Sequence, residues 1–276
     1  MGMGETSENV AEKYGIGREK QDQMAVESHA KAYKAQQQGL FDSEIVPIKT
    51  KVLDKDGNEK EVTVTKDDGI RQETTLESLA KLKPAFRKNG TTTAGNSSQV
   101  TDGAAAVVLA RRSVAEKLGL PILAKFVQYA VKGCPPEVMG IGPAVAIPEL
   151  LQKTGMKVSD IDIWEINEAF ASQATYSIEK LGISKDKLNP KGGAIALGHP
   201  LGCTGKYWFN FRVKTNRHFT SWVIETKQEI RRCFNVYWYR NGCCCIDWKI
   251  MIVVLIDKKI VFLFIHSSFS IFFNRK

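Results

Sequence analysis

The most informative part of the sequence is a glycine-rich stretch: Asn189-Pro190-Lys191-Gly192-Gly193-Ala194-Ile195-Ala196-Leu197-Gly198-His199-Pro200-Leu201-Gly202-Cys203-Thr204-Gly205. Five glycines fall within fourteen residues, which is costly in backbone entropy. Such a concentration is expected where the backbone turns sharply or comes close to a ligand. A single histidine is more often a structural or surface residue. His199, fixed between a glycine and a proline, is a better candidate for acid–base chemistry or for stabilising an oxyanion.

A second stretch, Asn167-Glu168-Ala169-Phe170, follows the strand-like apolar segment 161–166. Asn is a favourable N-cap residue, and a neighbouring Glu suits the positive end of a helix dipole. In that interpretation the two residues only begin a helix. The functional alternative is a ligand site, because α/β folds bind ligands where the carboxyl end of a strand meets a helix. There the Asn167 amide would hold a water molecule or a substrate oxygen.

Outward from these two stretches, the pattern along the chain is that of an α/β protein. A hairpin is predicted from 44–52 and 60–65, around the turn Asp56-Gly57-Asn58. From residue 104 onward, predicted strands alternate with predicted helices, as in α/β units. The predicted helices cover 7–15, 18–38, 76–82, 113–118, 142–154 and 168–182, and the predicted strands cover 104–110, 122–131 and 161–166.

Residues 207–276 differ in composition from the rest of the chain. They contain no Ala, no Pro and one of the 22 Gly, but nine of the 13 Phe and four of the five Trp. Aromatic and basic residues follow no steady period there, which is typical of translated non-coding sequence. We predict an unrelated tail that is not natively folded. A small accessory domain is the alternative, although a packed domain almost without Gly and Pro turns is unusual.

The net charge of +9 comes from the same segment. Residues 207–276 carry a net +8 and residues 1–206 a net +1, so the body of the chain does not predict a nucleic-acid surface. The apolar segments 250–256 and 260–265 are each shorter than the roughly 20 residues of a membrane-spanning helix. The six cysteines show no C-x-x-C spacing, so no zinc site is expected.

The two stretches together resemble the thiolase family. The residues Asn-Glu-Ala-Phe at 167–170, followed by Gly-Gly-Ala-Ile-Ala-Leu-Gly-His-Pro-Leu-Gly-Cys-Thr-Gly at 192–205, are a specific match. The similarity covers residues 1–206 and is nearest to the peroxisomal 3-ketoacyl-CoA thiolases of plants. Further thiolase-like segments lie at 1–10, 74–86, 93–98 and 139–143.

This resemblance implies an acetyl-CoA C-acyltransferase of fatty acid β-oxidation, which cleaves 3-ketoacyl-CoA with CoA. In such enzymes a cysteine thiolate attacks the keto carbon, the C2–C3 bond breaks, and acetyl-CoA leaves as an enolate. CoA then accepts the acyl group. The family implies no metal and no organic cofactor, because CoA is a substrate. It also implies a homodimer and a peroxisomal location.

The resemblance assigns roles to six residues. His199 matches the histidine that activates the nucleophile and donates to the thioester oxygen, and a nearby helix N-terminus would keep it neutral. Asn167 matches the residue that positions a water in the same oxyanion hole. The remaining matches bind CoA or the acyl chain: Ser98 and Met139 line the pantetheine channel, Phe170 the acyl pocket, and Arg71 lies near the nucleotide.

The sequence departs from the family where its two catalytic cysteines are expected. It has no match to the Cys-Ser-Ser-Gly-type segment of the nucleophile or to the C-terminal Cys-x-Gly segment of the proton donor. Cys203 belongs to the glycine-rich loop, and Cys134 precedes two prolines. A catalytically dead fragment, binding at most CoA or a thiolase subunit, is therefore the alternative to an active enzyme.

We expect an incomplete thiolase fold followed by the unrelated tail. A remnant of the loop domain is predicted over 1–98, the last strand and helix of the N-terminal half over 99–118, and part of the C-terminal half over 119–206. A targeting signal is not recognised either. No apolar stretch follows Met1, and the sequence ends in Asn-Arg-Lys rather than Ser-Lys-Leu.

Overall fold

A computed structural model describes residues 1–105, 108–200 and 204, together with two later strands. Three short 3₁₀ turns, Pro136–Ile141, Val158–Asp160 and Lys185–Lys187, lie between the larger elements. None of the described helices is long and apolar enough to cross a membrane. The helices are α1 (Met3–Tyr14), α2 (Arg18–Gln37), α3 (Leu76–Ala80), α4 (Arg112–Lys117), α5 (Gly142–Thr154), α6 (Ala171–Leu181) and α7 (Ala194–Leu197), and the strands are β1 (Ile48–Leu53), β2 (Glu59–Val64), β3 (Phe126–Ala130), β4 (Ile163–Ile166), β5 (Cys233–Arg240) and β6 (Trp248–Leu255).

The predicted N-terminal helices and hairpin are confirmed, but α1 begins at Met3 rather than Ser7, and β1 begins at Ile48 rather than at residue 44. Helix α1 ends where Gly15 takes the left-handed conformation, with φ of 68°, and donates its N–H to the Ala11 carbonyl. Strands β1 and β2 pair antiparallel, from Ile48 opposite Val64 to Leu53 opposite Glu59. The hairpin is exposed on nearly all its residues, so it projects from the body of the protein.

Helix α2 is the element that joins the N-terminal segment to the rest of the fold. It packs against α6 and α7, while α1 packs against α6 and the 3₁₀ turn Pro136–Ile141. The main core lies between α2, α5, α6 and β4, and all four residues of β4 are buried. Its largest fully buried apolar side chains are Trp164, Ile147, Leu150, Ile161, Ile166 and Ile195.

The four-stranded sheet differs from our expectation for residues 207–276. Its strand order is β3-β6-β5-β4, with β4 and β5 parallel and the other two pairs antiparallel. Strands β5 and β6 come from the segment that we predicted to be an unrelated tail that is not natively folded. For these two strands the structure shows pairing with β3 and β4 instead. The rest of that tail, including Cys243 to Cys245, lies outside the described residues.

The predicted strand at 104–110 is wrong for the residues that the structure describes. Residues 104, 105 and 108–110 are in no strand, and residues 106 and 107 lie outside the described part. Val108 is 81% exposed, although we expected a buried position. A strand needs a neighbour for its backbone hydrogen bonds, and no described strand pairs with this segment.

Candidate functional site

The turn between β4 and α6 carries the first predicted site residue, Asn167. Helix α6 begins at Ala171 with Phe170 as its N-cap, so the interpretation of Asn167 as the helix cap is wrong. Asn167 is only 3% exposed, and its backbone carbonyl accepts a hydrogen bond of 2.7 Å from Gln173 Nε2. Its side-chain Oδ1 has no hydrogen-bond partner among the described residues. The side chain is therefore available to a site rather than used by the helix.

His199 lies directly beside this asparagine. Its Nε2 is 3.3 Å from Asn167 Nδ2, and its Nδ1 is 2.6 Å from Thr204 Oγ1. The Thr204 hydroxyl donates its only proton to the Pro200 carbonyl, at 2.8 Å. It must therefore accept from His199 Nδ1–H, which leaves the Nε2 lone pair facing the Asn167 amide.

The imidazole of His199 is neutral at physiological pH. Burial lowers the pKa of His199 to about 4, because an imidazolium ion is poorly solvated in this environment. The direction agrees with our expectation, and burial is the cause that the structure shows. The helix start that we expected after His199 falls on residues outside the described part, so its contribution stays a prediction. A neutral ring with an unprotonated Nε2 can take a proton from an acid and then stabilise an adjacent oxyanion.

A short segment after Asn96 holds both motifs in place. The Ser98 N–H donates to the Ala169 carbonyl at 3.0 Å, and the Gln99 carbonyl accepts from the His199 N–H at 3.1 Å. Gln99 Nε2 donates to the Gly69 carbonyl at 2.8 Å. The segment thus connects the Asn167 turn, the His199 loop and the chain that leads to Arg71.

The four predicted substrate-binding residues occupy different places around this pair. Ser98 is half-buried and sits between the motifs, and the half-buried Phe170 ring contacts Phe86 edge-on, with centroids 6.1 Å apart. Arg71 is exposed, and its backbone N–H donates to Nδ1 of the buried His29 at 3.1 Å. Met139 is buried beside Gly140, which lies against Gln173. Met139 is thus linked to Asn167 through Gly140 and Gln173, since Gln173 Nε2 donates to the Asn167 carbonyl.

Sequence reasoning missed a buried hydrogen-bond network around Glu168. We interpreted Glu168 as a partner of the helix dipole, but its carboxylate is turned inward and accepts from Ser28 Oγ at 2.6 Å and Asn189 Nδ2 at 2.7 Å. Burial raises the pKa of Glu168, while the hydrogen bonds from these donors oppose that shift. The signal in the sequence was Gly193, where a Cβ atom would overlap the Glu168 carboxyl group.

Cys134 is the cysteine whose side chain the structure describes, and it does not lie beside His199. Cys134 is half-buried, with Sγ 3.7 Å from the Met139 carbonyl. Burial, with a contribution from Glu137, raises the pKa of the Cys134 thiol to about 11, so it is not a reactive thiolate at neutral pH. Cys203 lies outside the described residues. Within the described part, no group of three or more His, Cys, Asp or Glu side chains could hold a metal ion.

Comparison with known proteins gives two family matches along the chain. The thiolase N-terminal domain matches residues 1–113, and the thiolase C-terminal domain matches residues 120–215. The second match continues past Gly205, where we expected the family pattern to end.

Individual relatives agree with these matches. Peroxisomal 3-ketoacyl-CoA thiolase A of Mus musculus is 60% identical over 234 residues, which are 85% of this chain and 53% of that protein. The peroxisomal 3-ketoacyl-CoA thiolase of Homo sapiens is 66% identical over 203 residues, or 74% of this chain and 48% of that protein. The chain thus spans about half the length of these curated relatives.

A solved structure shows the same relationship at the level of the fold. The dimeric peroxisomal thiolase of Saccharomyces cerevisiae superposes with a TM-score of 0.78 at 46% identity, covering 94% of this chain and 60% of that one. The described α/β architecture is therefore that of part of a thiolase. Because both domain matches, the relatives and the superposed structure agree, the chain belongs to the thiolase family.

Proposed function

We propose that this chain carries the acid–base and oxyanion-binding half of a site for thiolysis of 3-ketoacyl-CoA by CoA. The observation that supports this most directly is the 3.3 Å approach of His199 Nε2 to Asn167 Nδ2. It places a basic nitrogen and an amide donor against the same small region. Thiolysis needs both, because a thiol must lose its proton and a carbonyl oxygen must become negative.

In the proposed reaction, His199 Nε2 accepts the proton of a cysteine thiol while the sulfur attacks the keto carbon of the substrate. The C2–C3 bond then breaks, and its electron pair forms the enolate of acetyl-CoA. The imidazolium Nε2–H and a water held by Asn167 stabilise the enolate oxygen, and a proton donor converts the enolate into acetyl-CoA. The thiol of CoA then gives its proton to the conjugate base of the proton donor, and its sulfur takes the acyl group from the cysteine sulfur. The cysteine leaves as a thiolate and recovers its proton from the His199 imidazolium.

Substrate binding belongs to the same proposal. Ser98 and Met139 line the pantetheine arm, Phe170 contacts the acyl chain, and Arg71 pairs with a phosphate of the nucleotide. The names of the relatives support a peroxisomal location, and the yeast structure supports a homodimer.

A second candidate function is binding of acyl-CoA without cleavage. The environment of Cys134 favours it, since this thiol has a pKa of about 11 and makes its described contact with Met139 rather than with His199. In this alternative Asn167 and His199 still polarise a bound carbonyl, but no acyl group is transferred.

The two functions are separated by two measurements on the purified chain. Thiolysis is followed as loss of acetoacetyl-CoA in the presence of CoA, and oxyanion binding as the ultraviolet band of the acetoacetyl-CoA enolate without CoA. Turnover that His199→Ala abolishes supports the enzyme, whereas an enolate band without turnover supports binding alone. If neither signal differs between the wild-type chain and His199→Ala, the assignment of this pocket is wrong.

A further inference from the structure

Two segments that are distant in sequence must be held at a fixed separation for Asn167 to meet His199. Asn167 follows β4, whereas His199 follows α7. The hydrogen bond of 3.3 Å between their side chains is too long to set that separation by itself. The backbone of Ser98 and Gln99 connects the two segments by hydrogen bonds, and buried side chains make a second connection.

The Glu168 carboxylate provides this connection. Glu168 directly follows Asn167 and is 2% exposed. Its Oε2 accepts from Ser28 Oγ at 2.6 Å and, more weakly, from the Ile195 N–H at 3.4 Å. The carboxylate thus connects the turn that holds Asn167 to helix α7, which leads to His199.

Ser28 extends the connection from helix α2. Its hydroxyl donates to Glu168 and accepts from the Gly193 N–H at 3.0 Å, so it connects the Asn167 turn to the glycine-rich stretch. Gly193 has no side chain at the point where the carboxylate lies, and a Cβ there would overlap it. This close approach explains one glycine of the glycine-rich stretch.

Asn189 completes the network at the end of β4. Its Oδ1 accepts from the Ile166 N–H, and its Nδ2 donates to the Ile166 carbonyl, both at 2.9 Å. The same Nδ2 donates to Glu168 Oε1 at 2.7 Å. Asn189 adopts a φ of 38°, a left-handed conformation that asparagine tolerates better than most residues.

We infer that Glu168 is a positioning residue, which fixes the separation of Asn167 and His199 by hydrogen bonds to Ser28, Asn189 and the backbone of the glycine-rich loop. Both of its oxygens face donors, so a neutral amide cannot replace it. In Glu168→Gln the new NH₂ group would face either the Asn189 NH₂ or the Ser28 hydroxyl and the Ile195 N–H. The hydrogen bond to Asn189, or those to Ser28 and Ile195, would be lost, and a buried N–H or O–H group would remain without an acceptor.

The test is nitrogen-15 NMR of the His199 ring in the ligand-free chain. In the wild-type protein we expect an Nδ1–H tautomer with Nε2 as a hydrogen-bond acceptor. Glu168→Gln should move both ring-nitrogen signals toward those of a solvent-exposed, tautomer-averaged histidine. Glu179→Gln is the matched control, since Glu179 is 49% exposed in its surface pair with Lys20 and should leave the signals unchanged.

A second variant decides the question if Glu168→Gln does not fold. Ser28→Ala removes the hydroxyl that joins Glu168 to Gly193 and lies in neither motif, so it should shift the His199 signals in the same direction. Unchanged His199 signals in a folded Glu168→Gln chain, or in Ser28→Ala where Glu168→Gln fails to fold, would overturn the inference. A loss of global stability without any change at the His199 ring would do so as well.

The value of this positioning for catalysis rests on the proposed function, but the NMR test does not. With acetoacetyl-CoA, Glu168→Gln should reduce the enolate band to that of the free ligand while leaving the affinity for CoA unchanged. If the wild-type chain gives no enolate band, the proposed function fails, and the NMR result still decides whether Glu168 positions His199. An enolate band equal in the wild type and Glu168→Gln would contradict the inference alone.

Discussion

Lys191 and Glu44 form an ion pair inside the protein, with 2.9 Å between Nζ and Oε1. Their side chains are only 3% and 6% exposed. The Lys191 ammonium group also donates to the Leu40 carbonyl and lies over the Phe41 ring, 5.5 Å from its centroid. The pair thus ties the start of the glycine-rich stretch to the segment that follows α2.

Replacing one partner of this pair should strongly destabilise the chain. In Lys191→Met the buried Glu44 carboxylate would lose its ion pair with the Lys191 ammonium group, and we expect a loss of about 3–5 kcal/mol in the free energy of unfolding. Urea unfolding followed by circular dichroism measures this loss. Lys51→Met is the control, because the Lys51–Glu59 pair is exposed and should contribute about 1 kcal/mol or less.

The double variant Lys191→Met with Glu44→Leu tests the physical cause. It removes both charges, so it should be more stable than Lys191→Met alone. If the double variant is instead the less stable of the two, the loss reflects packing of the lysine stem rather than an unpaired charge.

The sequence predicted well those parts of the fold that depend on local signals. Helix α5 spans Gly142–Thr154 as predicted, and the hairpin turn contains Asp56 and Gly57. Glycine at a helix end and Asp-Gly at a turn act through the conformation of one or two residues. Such signals do not depend on the rest of the chain.

The features that the sequence did not predict depend on contacts between distant segments. The segment 104–110 has the composition of a buried strand but lies in no described strand. Composition cannot predict whether a neighbouring strand is present to accept its backbone hydrogen bonds. The position of Glu168 in the sequence suggested an interaction with a helix dipole, whereas its carboxylate accepts hydrogen bonds from the distant residues Ser28 and Asn189. The proximity of Asn167 and His199 was predicted only through the family resemblance, since neither spacing nor periodicity brings the two residues together.

The buried His29 and the half-buried His199 should make the stability of the chain sensitive to mildly acidic pH. Burial lowers the pKa of both His199 and His29 to about 4, with the charge of Arg71 adding to the effect at His29. In the unfolded chain each titrates near its usual value of about 6.5. Between these values the unfolded state binds more protons, so the free energy of unfolding falls as pH falls.

Substitution of His29 isolates its share of this dependence. His29→Gln keeps an acceptor for the Arg71 N–H but cannot titrate. Between pH 6 and pH 5 its free energy of unfolding should fall less steeply than that of the wild type, by about 1.2 kcal/mol per pH unit. Urea unfolding at several pH values gives both slopes. The opposite contribution of Glu168, whose pKa is raised, is common to both proteins and cancels. Equal slopes would mean that the pKa of His29 is the same in the folded and the unfolded chain.

Cys134 should react slowly with alkylating reagents in the folded chain. Burial raises the pKa of its thiol to about 11, and the reactive species is the thiolate. At pH 8 we therefore expect iodoacetamide to modify the Cys134 peptide much more slowly in the native protein than in urea, as measured by mass spectrometry. Equal rates in the two conditions would show that the Cys134 thiol is open to solvent and that its pKa is not raised. Cys134 would then be a candidate nucleophile.

The glycine-rich stretch should tolerate no side chain where it meets the Glu168 carboxylate. A Cβ atom at Gly193 would overlap that group, so Gly193→Ala must displace either the carboxylate or the loop. We expect a loss of about 1–3 kcal/mol in the free energy of unfolding, as for other overpacked cores. Because the loop leads to His199, the enolate band of bound acetoacetyl-CoA should disappear as well.

Gly133→Ala is the matched control for this substitution. A Cβ atom at Gly133 would meet no other atom within 4 Å, so the free energy of unfolding should change by less than about 0.5 kcal/mol. The enolate band should remain at the wild-type level. If Gly193→Ala matches this control in both measurements, the loop can move away from Glu168 without affecting His199, and the close approach is not what requires glycine at position 193.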